Sequence, residues 1–156
     1  MINTRIENAN AGFKRNRSMK ALFVLGLFAL LMSPLQAREP NEVAVTQLLC
    51  TSRTSSGQPI VLPRKDAQIV ASVYDIMPGA AEPIHNHPYP RFGYVLAGIL
   101  KVTNIDTGQI DIYKPGSFFP ESVGQWHSAS NIGGEPLKLL VIDFIEEGQS
   151  NIVPIK

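Results

Sequence analysis

With 156 residues, 14 of them basic and 13 acidic, the chain is sized for one domain and is almost neutral at +1. It carries no basic stripe interleaved with aromatic residues, which argues against a nucleic-acid partner. Its single cysteine, Cys50, rules out an intrachain disulfide.

The first element is a leader. Lys14, Arg15, Arg17 and Lys20 form a basic stretch, residues 21–32 are an unbroken apolar run, and Ser33, Pro34 and Ala37 come next. Basic, apolar and then small is the order of a secretory signal peptide. The run is about a dozen residues, short of the ~20 that cross a bilayer. We therefore expect residues 1–37 to be a cleaved signal, with Met19 an alternative start, and the protein to be exported, periplasmic or secreted, with no stable membrane span after cleavage. An uncleaved anchor is the competing reading. Residues 1–37 hold five of the bases and one of the acids, so nine bases face twelve acids in the remainder, near −3.

Residues 38–66 are read as an N-terminal strand and loop. Leu48 and Leu49 place Cys50 on a buried strand, residues 51–57 are a polar loop, and Pro59 and Pro63 restrict the rest of this segment to irregular or edge structure. From residue 67 the chain alternates at period two. Ile69, Ala71 and Val73 alternate with Val70, Ser72 and Tyr74, and Pro78-Gly79 turns the chain. A second strand spans 92–96, and Leu100 and Val102 alternate with Lys101 and Thr103. Asp106-Thr107-Gly108 makes a hairpin leading to Ile110 and Ile112. Pro115-Gly116 precedes a strand at 117–119, another spans 125–130, and 137–145 is the last and strongest run. Short alternating strands with a turn every ten residues or so predict an all-β sandwich or barrel over 67–148, with 149–156 a C-terminal tail. The run at 137–145 is apolar on both faces, so it is covered on both sides, either within the barrel or by a second subunit of a homodimer.

All three histidines fall in this region. His85 and His87 are two apart, which on a strand points both imidazoles to one side. His127 lies on a later strand. Imidazole nitrogens bind Fe, Mn, Ni, Cu and Zn, so a converging trio would be a divalent-metal site. The bland alternative is three unrelated polar residues on a strand surface. Their spacing, their small number and the flanking glycines weigh against it.

The stretch Gly79-(five residues)-His85-Asn86-His87, continuing to Gly98, resembles the first motif of the cupin superfamily. Gly116, Gly124, His127 and Asn131 resemble the second. The resemblance covers residues 79–131. It implies a small single-domain cupin, a double-stranded β-helix or jelly-roll barrel, with His85, His87 and His127 as metal ligands. Two positions depart from the motifs. Ser122 stands where a proline is usual, and Arg91 stands where the family has a metal-ligating glutamate. Three imidazoles around a divalent ion leave about +2 in a low-dielectric interior, and an inward Arg91 would add to it. Three resolutions are open. Arg91 points outward to a surface acid and leaves a three-histidine site; or Glu121 supplies the carboxylate; or Arg91 anchors an anionic ligand beside the metal. Glu82, before Pro83, reads as a loop residue.

The resemblance fixes fold and metal better than reaction. The leading expectation is a non-haem, dioxygenase-like oxidoreductase that acts on a small organic molecule and uses Fe(II), with Mn, Ni, Cu or Zn as alternatives. Glu121 and Arg91 would be its catalytic or supporting groups. The competing readings are a non-catalytic module that binds a small molecule or metal, and a cupin that has lost its metal.

Overall fold

Period-two alternation and glycine turns give, in the computed structural model, nine strands and no helix among the described residues, 43–156. The proposed signal peptide at 1–37, with its alternative start, lies outside them. No helix of the described residues is long and apolar enough to cross a membrane. In chain order the strands are β1 (Ala67–Ile76), β2 (His85–Asn86), β3 (Arg91–Ala97), β4 (Leu100–Asn104), β5 (Ile110–Tyr113), β6 (Phe118–Pro120), β7 (His127–Asn131), β8 (Leu137–Glu146) and β9 (Val153–Pro154). They form two antiparallel sheets, β1-β8-β3-β6 and β5-β4-β7-β2-β9, a jelly-roll-like topology.

The strand expected to be apolar on both faces is β8, and it divides its two rows. Leu137, Leu139, Val141 and Ile145 are buried, whereas Leu140, Ile142 and Phe144 are half-buried on the opposite face. β8 pairs with β1 along ten residues, from Ala67 opposite Glu146 to Ile76 opposite Leu137. The core joins the two sheets through Val95, Leu137, Leu139, Val141 and Phe119 on one and Leu100 and Ala129 on the other. A large aliphatic or aromatic side chain buried this fully contributes about 1.5–3 kcal/mol.

The β3–β4 turn depends on one glycine. Gly98 has φ +80°, and a β-carbon there would lie 2.6 Å from the Leu137 Cα. Gly98→Ala should combine the left-handed penalty with overpacking against backbone and cost about 2–4 kcal/mol. A urea titration checks this, and a midpoint within error of wild type would refute it.

One expectation fails here. Cys50 is exposed and lies on no strand. The apolar neighbours that predicted its burial are exposed too, Leu48 at 56 % and Leu49 at 39 %. Residues 43–50 have apolar side chains but pair with no strand among the described residues, and a local apolar pair cannot supply one.

Candidate metal centre

His85 opens β2 and His127 opens β7, directly opposite each other in the β2–β7 pair. His87 stands two residues after His85, and all three are buried. Ring centroids are 4.6–4.8 Å apart in every pairing. The three ligand nitrogens lie within 4.8 Å of one another.

The orientation of the rings says more than their proximity. His85 Nδ1 lies 2.7 Å from the Pro83 carbonyl oxygen, His87 Nδ1 lies 2.6 Å from that of Asn151, and His127 Nδ1 lies 2.9 Å from that of Gln125. A carbonyl oxygen only accepts, so each Nδ1 carries a proton, and a ring that holds no second proton presents a lone pair at Nε2. His87 Nε2 and His127 Nε2 are 3.1 Å apart. Two nitrogens about 2.1 Å from one ion, in adjacent coordination positions, are separated by roughly this distance. Glu121 Oε2 completes the group, 3.1 Å from His87 Nε2 and 3.3 Å from His127 Nε2. With the rings neutral these acceptors converge where a cation binds, either a proton shared with Glu121 or a metal, and the three-histidine cluster indicates a divalent metal.

The charge state suits that role. Burial pushes His85 down to about 4, outweighing its bond to the Pro83 carbonyl, so the ring is neutral. Burial also acts against an ionised Glu121, but hydrogen bonds to His127 and His87 hold it well below the usual carboxylate range. His127 is displaced upward. Burial opposes this, and the bond to Glu121 and its negative charge overcome it. With Glu121 ionised beside the imidazoles, the surplus charge of a three-histidine site is reduced by one, which answers the electrostatic difficulty posed by the sequence.

Glu121 reaches the centre from the β6–β7 connection. Its N–H donates to the Arg91 carbonyl oxygen at 2.8 Å, and Asn104 Nδ2 holds the same connection by donating to Ser122 Oγ and Gln125 Oε1. Arg91 itself pairs with an acid, though not a surface one. Its Nε and Nη2 donate to Asp143 at 2.7 and 2.9 Å, with both side chains buried. Arg91 and Asp143 are register partners on β3 and β8. Asn151 donates from Nδ2 to the same carboxylate, while its carbonyl accepts from His87. A chain of hydrogen bonds thus runs from Arg91 through Asp143 and Asn151 to a candidate ligand. Sequence reasoning missed Asn151, which no motif marks. It read Glu82 only as a loop residue; Glu82 does lie outside the strands, but its Oε2 is 3.7 Å from His85 Nε2. Burial, and after it the charge of Glu121, raises its carboxyl above the ordinary value. The signal that could have found Glu82 is its three-residue separation from His85 across a proline.

Two spaces adjoin the centre. A cavity of only about 10 Å³ is bounded by Ser55, Tyr113, Phe119, Glu121 and His127. Ser55 belongs to a small hairpin at 53–59, which is tied down by the Ser55 N–H to the Pro120 carbonyl and by reciprocal bonds between Gln58 and Val123. On the other side a groove of about 240 Å³ is lined by Glu82, Pro83, Ile84, His85, Ile152 and Pro154.

Residues 72–143 match a family model described as Cupin domain, which supports a small cupin-superfamily domain over that stretch. No curated protein matches it. Among solved structures, the polyketide cyclase RemF from Streptomyces resistomycificus is 22% identical, covering 60% of this chain and 65% of its own, with a TM-score of 0.48. Oxalate decarboxylase from Lactobacillus farciminis, solved as a formate complex, is 24% identical, covering 56% of this chain and 26% of its own, also with a TM-score of 0.48. A Bacillus subtilis oxalate decarboxylase is 26% identical over 56% of this chain and 24% of its own, again at 0.48. The chain thus spans less than two thirds of each of these proteins.

Proposed function

We propose that the protein is an exported metalloenzyme, a dioxygenase-like oxidoreductase that uses Fe(II) at His85, His87 and His127 to act on a small organic molecule. The observation that carries this reading is the buried trio itself: three backbone carbonyls hold the Nδ1 atoms, the ligand nitrogens lie within 4.8 Å of one another, and a Glu121 oxygen stands beside His87 and His127 Nε2. Export rests on the basic and apolar order of residues 14–37.

A bound divalent ion would supply Lewis acidity and a template for substrate. The protein supplies the rest. His85, His87 and His127 hold the ion, each fixed in rotation by its carbonyl partner. Glu121 adds a carboxylate and keeps the net charge low. Glu82, at the groove side and displaced upward, is placed to hold or accept a proton on Oε2. The groove is smaller than the ~300–1,000 Å³ of ordinary ligand pockets, and Pro83, Ile84, Ile152 and Pro154 make most of it apolar. It therefore suits a small substrate with one polar end directed at His85.

A second reading, a non-catalytic metal-binding module, is favoured by the roughly 10 Å³ cavity beside Glu121 and His127, which admits no organic molecule. Oxygen consumption by iron-loaded protein across thiols, diketones and phenols separates the two. An enzyme should turn over at least one of them, and Glu82→Gln should lower kcat on the order of 10²-fold while leaving bound metal intact. No consumption with any substrate class would leave the binding module standing.

A further inference from the structure

We infer that Gln58, on the hairpin at 53–59, is a positioning residue that sets where the Glu121 carboxylate stands. The inference rests on the metal-centre reading above. Glu121 has no strand of its own to place it, because β6 ends at Pro120 and β7 begins only at His127. A group that works at a metal centre has to be held to within about 0.5 Å, so other parts of the chain must fix this connection. Two of its anchors come from the barrel, the Arg91 carbonyl that accepts from the Glu121 N–H at 2.8 Å and the Asn104 amide that donates to Ser122 Oγ at 3.2 Å. The hairpin supplies the others. Ser55 N–H donates to the Pro120 carbonyl at 3.0 Å, one residue before Glu121, and Ser55 Oγ lies 3.5 Å from Ser122 Oγ, one residue after it. Gln58 then engages both backbone groups of Val123. Its Nε2 donates to the carbonyl at 2.8 Å and its Oε1 accepts from the N–H at 3.0 Å.

This clamp has one working orientation. The Val123 N–H can only donate and its carbonyl can only accept, so a flipped Gln58 amide would break both bonds at once. The hairpin holds the amide the right way round. Ser56 Oγ and Thr54 Oγ1 also donate to Gln58 Oε1, at 3.0 and 3.4 Å, and the Gln58 N–H donates to Thr54 Oγ1 at 3.1 Å. Gln109 Nε2 docks the hairpin tip by donating to the Ser55 carbonyl at 3.1 Å. The acid that offsets the charge of the trio thus stands away from Arg91, the motif position, and it is fixed by a segment that precedes β1, outside residues 72–143. A hairpin that only added stability would leave the site unchanged when loosened. Here the two roles separate, because the imidazoles are aimed by the carbonyls of Pro83, Asn151 and Gln125, and Gln125 is held by Asn104. Loss of Gln58 should therefore release Glu121 and spare the histidines.

The test compares full-length wild type, Gln58→Met, Glu121→Gln, the double variant and Gly98→Ala, each labelled with nitrogen-15 at histidine. The chain has three histidines, so each ring can be followed separately. In metal-free protein at fixed pH, Gln58→Met should move the His87 and His127 ring nitrogens most of the way to their positions in Glu121→Gln, and His85 least. Zn(II) affinity, from competition with a chelator, should fall about 10-fold in Gln58→Met. The visible spectrum of Co(II)-loaded Gln58→Met should shift in the same direction as that of Glu121→Gln. The double variant should bind Zn(II) to within about 2-fold of Glu121→Gln alone, because Gln58 acts through Glu121. Gly98→Ala, at the end of β4 away from Asn104, should lower the urea midpoint and leave rings and affinity as in wild type. Where Gln58→Met does not fold, Gln58→Glu serves the same comparison, since it keeps an acceptor for the Val123 N–H and loses the donor. Unchanged ring positions in the Gln58 variant, or losses that multiply in the double variant, would overturn the inference. A wild type that binds no Zn(II) would overturn the metal reading instead, and the ring positions would still decide this one.

Discussion

His87→Ala should strip the divalent ion from the purified protein, lowering its affinity on the order of 10²–10³-fold. A four-ligand protein site binds with roughly 10–16 kcal/mol in favourable cases, so one ligand carries about 3–4 kcal/mol of it. His87 is the ligand most enclosed by protein, fully buried and in contact with both Glu121 and His127. Mass-spectrometric metal content per chain, and then competition with a chelator, gives the number. Glu121→Gln should cost less, about 10–100-fold, because the imidazoles remain and only the charge is lost. Glu82→Gln should cost nothing measurable in affinity. The thermal midpoint provides a second readout. Excess metal should stabilise wild type by about 4 kcal/mol at a thousandfold over Kd, whereas His87→Ala at the same concentration should gain only about 0.4–1.4 kcal/mol. Stoichiometric metal retained by His87→Ala would show that the trio is not the site.

The parts of this centre legible in the sequence are those set by local relations. His85 and His87 share a strand face by period two alone, and the Asp106-Thr107-Gly108 and Pro115-Gly116 turns mark where strands end. Two of the three carbonyl partners are local as well, since Pro83 and Gln125 each stand two residues before the histidine they orient. The relations that stayed hidden need register or long-range placement. Arg91 meets Asp143 only because β3 and β8 align those two positions, 52 residues apart. Nothing in the segment at 149–156 announces that Asn151 orients His87 from 64 residues away. Strand parity could not decide whether Glu121 faces the metal, because it lies just past the end of β6, in a connection shaped by Asn104. Cys50 failed for the opposite reason. Its surroundings look local and apolar, but burial requires a partner surface, and residues 43–50 pair with no strand among the described residues.

The Arg91–Asp143 pair should show the largest effect on folding. Arg91→Met leaves the Asp143 carboxylate buried with only the Asn151 amide for company, and breaking a buried pair from one side costs about 3–5 kcal/mol. In a domain whose whole stability is about 5–15 kcal/mol, that is a large share. Urea unfolding should therefore show a lower midpoint with an unchanged slope. Arg91→Met combined with Asp143→Leu removes both charges together and should return to within about 1–2 kcal/mol of wild type, since apolar replacement of a buried pair is often close to neutral. Metal affinity should not return with it. Without the carboxylate, the Asn151 amide loses the bond that fixes it, and the carbonyl that sets the His87 tautomer is held less firmly, an effect of about 10-fold for such supporting groups. Stability and affinity recovering together would confine Arg91 and Asp143 to holding β3 against β8. Stability alone recovering would make the pair part of the apparatus that aims His87 at the ion.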